Sequence, residues 1–183
     1  MELVTFAEFL EWAERMGLAI ETRRDEPQSL VYQSGASAMT RLQCPNAAED
    51  VLQFLADVFD CLDEWKACWV LRRALPWTYL SLDGVVNCVR VDIMQGMGIP
   101  EGFVGALHFN QADFPRMAAL LFSEICFGKG KADELFVAPS HGRQLLHFKH
   151  DACVRIHFSK PERRESFHRD IAAKGIPIVP ATA

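Results

Sequence analysis

Two alternating runs toward the C-terminal end constrain the fold more than any other feature of the sequence. In 144–150 (QLLHFKH), Leu146 and Phe148 fall on one side of an extended chain, with Leu145, His147 and Lys149 on the other. In 153–159 (CVRIHFS), Val154, Ile156 and Phe158 share one side, with Cys153, Arg155 and His157 opposite. So short a connection joins antiparallel strands. The two apolar sets must share a face, because a one-residue slip turns every side chain over. Two registers with three-residue loops satisfy this. One loops through Asp151-Ala152-Cys153 and sets His147 opposite His157. The other loops through His150-Asp151-Ala152 and sets His147 opposite Arg155. The sequence leaves both open. In either, the imidazole-rich row is expected on a solvated sheet face.

The remaining segments follow from periodicity and caps. Thr5 with Glu8 three residues on forms a capping box for a first helix, which Gly17 ends. Strand-like runs at 18–23, 29–33 and 38–43, separated by turn residues, read as an antiparallel meander. Asn46 is the expected cap of a second helix, with Val51, Leu52, Leu55, Val58, Phe59 and Leu62 as its buried face. A strand follows at 68–73, then a helix from Ser81 to Met94, a glycine-rich break at 95–102 and a buried strand at 103–109. Asp113 opens a helix ending at Gly128, and Ser159 with Pro161 opens a last one ending at Gly175. Helix, three strands, helix thus occurs at 5–64 and again at 113–174. These patterns predict one α+β domain over 1–183, with antiparallel sheet and helices packed on one face. Two pseudo-repeated lobes, 1–75 and 103–176, would be joined by a helix at 81–95.

The net charge of −5 hides an asymmetry. Residues 1–128 hold 9 Lys/Arg against 18 Asp/Glu, whereas 129–183 hold 10 against 6 and five of the six histidines. Such a split indicates either two surfaces with different partners or two ends that attract each other. The six cysteines never form a C-x-x-C, which excludes zinc-ribbon and thioredoxin-like readings. The acidic start, MELVTFAEFLEWAE, lacks the basic region of a signal peptide, and no apolar run has the length of a membrane span. A cytoplasmic protein with reduced thiols and no membrane partner is expected.

Chemical motifs are sparse. G-x-S-x-G and H-E-x-x-H are absent. GKGK at 128–131 follows a helix, so no helix N-terminus faces it as in a phosphate loop. Neither a metal nor a cofactor is expected. The second helix is more informative. Asp50, Asp57, Asp60 and Glu64 share one side of it, and such a stripe attracts basic partners and repels nucleic acid. Trp12, Trp65, Trp69 and Trp77 line a groove or complete a core.

The reading that results is a non-enzymatic interaction module docking a basic protein through Asp50, Asp57, Asp60 and Glu64. One alternative is a hydrolase-type enzyme using His147 and His157 as base and acid. Another is phosphate or RNA binding by the basic C-terminal segment, which includes Arg143, Arg155, Lys160, Arg163, Arg164 and Arg169.

Overall fold

A computed structural model describes residues 1–21, 29–33, 38–62, 65–72, 77, 85–127, 135–149 and 153–180, with the side chains of 85–90, 124, 127 and 149 left aside. The chain opens with β1 (Glu2–Thr5), α1 (Phe6–Arg15), β2 (Leu18–Glu21), β3 (Ser29–Tyr32), β4 (Ala38–Gln43) and α2 (Ala48–Asp60). Then come β5 (Ala67–Leu71), α3 (Val85–Gly96), β6 (Gly105–Asn110), a 3-10 turn (Gln111–Asp113) and α4 (Phe114–Phe127). The last elements are β7 (Leu135–Pro139), β8 (Gln144–Lys149), β9 (Cys153–Phe158), α5 (Pro161–Ala173) and β10 (Ile178–Val179).

The fold is α+β. Eight strands form one antiparallel sheet in the order β1-β6-β5-β7-β8-β9-β4-β10, and β2 and β3 form a separate pair. The order helix, three strands, helix recurs as α1-β2-β3-β4-α2 and α4-β7-β8-β9-α5. The strands do not repeat in space. β7, β8 and β9 are neighbours in the large sheet, whereas β4 leaves β2 and β3 to lie between β9 and β10. The expected three-strand meander is therefore a two-strand hairpin plus one strand given to the main sheet. Ala38, Thr40 and Leu42 on β4 match the inner face of β9, with Thr40 opposite Ile156 and Leu42 opposite Val154. Burial beside β9 outweighs local turn chemistry.

The sheet is covered on both faces. Leu107, Phe109, Val137, Leu146, Val154 and Ile156 meet residues of α2, α3, α4 and α5 in the larger core. On the opposite face, Leu71, Ala106, Phe136, Ala138 and Leu145 meet Phe9, Trp12 and Ala13 of α1 and Leu18, Leu30 and Tyr32 of the small sheet. The Thr5 capping box forms: Thr5 accepts from the backbone of Glu8, and the Glu8 carboxylate accepts from the backbone of Thr5. Gly17, at φ 70°, ends the helix in the left-handed region that favours glycine. β1 approaches β6 so closely that a Cβ on Gly105 would lie 2.2 Å from the Val4 carbonyl oxygen.

Other caps differ from expectation. α2 begins at Ala48 with Ala47 as its cap, and Lys160 precedes Pro161 at the start of α5; neither supplies a side-chain hydrogen bond. Asn110 caps the 3-10 turn, its side chain accepting from the Asp113 backbone at 3.1 Å. The Asp113 carboxylate takes the Met1 amino group at 2.6 Å, and that hydrogen bond holds the carboxyl below its ordinary range. Val51, Leu55, Val58, Phe59 and Leu62 are buried as expected, but Phe54 is buried in place of Leu52, which is 49% exposed.

No helix among the described residues is long and apolar enough to cross a membrane. None of Cys44, Cys61, Cys68, Cys126 and Cys153 forms a disulfide.

Candidate functional site: a groove beside the acidic helix

α2 is amphipathic at helical spacing. Val51, Phe54, Leu55, Val58 and Phe59 are buried, which turns Glu49, Asp50, Gln53 and Asp60 outward. Glu49 and Asp50 lie in the first turn, where the helix dipole favours negative charge. Asp57 and Asp60 lie in the last turn, where the dipole opposes them, and that turn holds no basic residue. They also sit three positions apart and repel one another.

The cation that answers them comes from the far end of the chain. Lys174, at the C-terminal cap of α5, places Nζ 2.8 Å from Asp60 Oδ2 and 3.3 Å from Asp57 Oδ1. The hydrogen bonds that Lys174 donates to Asp60 and then to Asp57 raise its pKa above the ordinary value. The carboxylates are not sealed by this contact: Asp57 is 19% exposed and Asp60 is 70% exposed.

Beside these charges lies a groove of about 450 Å³. Gln53, Ala56, Asp57 and Asp60 of α2 line it together with Lys174 and Gln111. Its apolar lining is Phe59, Trp65 and Phe114. The ring centroids of these three are 5.3–6.0 Å apart, in edge-on and tilted contacts favourable for aromatic rings. The Gln111 N–H donates to the Lys66 carbonyl at 2.8 Å, fixing the 3-10 turn against the segment that carries Trp65. An aromatic base with carboxylates on the rim is chemically complementary to a long cationic side chain.

The structure thus brings Asp57 and Asp60 together at one groove. Asp50 stands earlier on the helix, exposed and apart from the lining, and Glu64 lies outside the described residues. Trp65 is the tryptophan that lines the groove. Trp12 stacks on Trp69 at 4.9 Å, and Trp77 is fully buried with its indole N–H donating to the Gly105 carbonyl at 3.0 Å. Phe114, Gln111 and Lys174 carry no local signal in the sequence; the sheet crossovers deliver them.

The histidine hairpin takes the register in which His147 faces Arg155, and His157 faces Leu145. The expectation of a solvated face fails at His147, which is 4% exposed and stacked on Phe136 at 4.2 Å. The reason is α1 and the β2–β3 hairpin, which cover this face and turn Phe136 and Leu145 into core residues. His147 and His157 lie on the paired strands β8 and β9 but are diagonal and not directly opposite, each facing a different residue. Among the described residues, no three His, Cys, Asp or Glu side chains gather as metal ligands. His141 takes the Arg143 backbone N–H on Nδ1 at 3.0 Å, and burial, then the Arg143 charge, lowers its pKa.

No family model matches this sequence, and no characterised protein or solved structure matches it.

Proposed function

We propose that this chain is a non-enzymatic, cytoplasmic interaction module that docks a basic protein through the acidic face of α2, centred on Asp57 and Asp60. The observation that carries the reading is the groove itself. The exposed Asp60 and the mostly covered Asp57 border an aromatic-based cleft, and a lysine of the same chain already pairs with both. A partner's lysine or arginine is recognised by the same chemistry, with Leu52 as a neighbouring apolar contact on the same helix. Nucleic acid suits this rim poorly, since its phosphates would meet carboxylates. The hydrolase reading of His147 and His157 has less support, because a ring packed on Phe136 is poorly placed to meet a substrate.

The test compares the wild-type chain with Asp57→Lys/Asp60→Lys in affinity capture, followed by association kinetics with the captured partner at rising salt. The double variant is expected to lose the complex while keeping its fold. The wild-type association rate is expected to fall with ionic strength, as charge-steered docking does. A complex indifferent to both changes contradicts the reading.

A further inference from the structure

The outer edge of the main sheet carries a second cavity, separate from the acidic groove. β10 pairs only with Leu42 and Arg41. Beyond those two residues the β4 edge, at Thr40 and Met39, has no strand on that side among the described residues. α5 packs against β4, and a pocket of about 190 Å³ opens beside them. Its apolar lining comes from Met39, Ile178, Val179 and Pro180, and its polar lining is Thr40, Arg41, Arg164 and His168.

The polar end is built but electrically incomplete. His168 Nε2 lies 2.5 Å from Thr40 Oγ1, which orients the ring. Burial lowers the pKa of His168, the Arg164 charge lowers it further, and Glu165 acts in the opposite sense. Protonation of the imidazole is disfavoured here, and the fixed positive charge in the lining is that of the Arg41 and Arg164 guanidiniums. Arg164 pairs with no carboxylate among the described residues, and its Nε is closed off from solvent without a hydrogen-bond partner. A half-buried guanidinium of this kind favours an anion that can accept from its planar fork. The apolar lining selects among anions. A small, strongly hydrated ion gains nothing from Ile178, Val179 and Pro180, whereas an aliphatic tail does.

We propose that this pocket binds a short aliphatic carboxylate, its oxygens on Arg164 and its tail against Ile178, Val179 and Pro180. The volume of about 190 Å³ corresponds to about six waters at roughly 30 Å³ each, which suits an acid of about four or five carbons.

The test titrates pentanoate into the full chain and follows the His168 ring signals by NMR. Pentanamide removes the charge, acetate removes the tail, and inorganic phosphate keeps only the charge. The expected result is a saturable shift of His168 with pentanoate, at least about tenfold weaker with each of the other three. Arg164→Gln is expected to weaken pentanoate binding by about tenfold or more, with the rest of the amide spectrum unchanged. The proposal is overturned by the absence of a saturable shift, by pentanamide, acetate or phosphate binding as tightly as pentanoate, or by an unchanged affinity in Arg164→Gln. The ligand series on the wild-type chain decides the matter even if the variant does not fold.

Discussion

The two faces of the eight-stranded sheet are built from the same strands, yet they are covered in different ways. One face meets α2, α3, α4 and α5, whose buried side chains pack against Leu107, Phe109, Val137 and Ile156. The other meets a single ten-residue helix and a two-stranded hairpin, which is too small to stand alone. The difference teaches where polar side chains can be tolerated. On the helix-rich face Thr40 is the polar strand residue that reaches α5, and it bonds His168. On the thinner face His147 is buried beside Phe136, with Arg155 opposite it.

The contrast is open to attack at several points, the largest effect first. Phe109→Ala, at a fully buried ring of the helix-rich face, is expected to cost about 3–5 kcal/mol in urea unfolding; a loss below about 1 kcal/mol would remove that face as the main core. His147→Ala is expected to cost about 1–3 kcal/mol, as a buried position does, whereas a surface histidine would change stability by no more than about 0.5 kcal/mol. Thr5→Ala removes the capping box that starts α1 and is expected to cost about 1 kcal/mol, read as a lower Tm.

The smallest effect is on pH dependence. His141 and His168 have folded pKa values below the ordinary histidine value, so the unfolded chain binds more protons in the window between. Their contribution to stability is whole above about pH 6.5 and declines as pH falls toward the folded values. Thermal unfolding from pH 7.5 to 5.5 is expected to show this decline, reduced in the Thr40→Val/His168→Gln pair; stability that rises as pH falls would contradict it.

Much of the architecture was legible because it rests on short-range patterns. The Thr5–Glu8 box, the Gly17 and Gly175 helix stops and the alternating runs of β8 and β9 are local, and each appears where its residues demand. What was not legible is long-range. Nothing in the 38–43 run announces that it abandons its own meander to lie beside β9. The hairpin register depends on a loop choice that apolar alternation cannot make, since both choices put the same residues on the same face. The burial of His147 required knowing that α1 crosses to the second face. At the groove, the aspartates were visible at helical spacing, but Lys174 lies 114 residues beyond Asp60 in sequence, and only the packed α5 brings it there.

In the proposed role, the Asp57–Asp60 groove receives a partner's cationic side chains. Titration of a hexalysine peptide into the isotopically labelled chain tests it most directly. Saturable shifts are expected at Gln53, Asp57, Asp60, the Trp65 indole and Lys174, lost at high salt and lost in Asp57→Lys/Asp60→Lys. Shifts that cluster elsewhere, or that survive in the double variant, would contradict it.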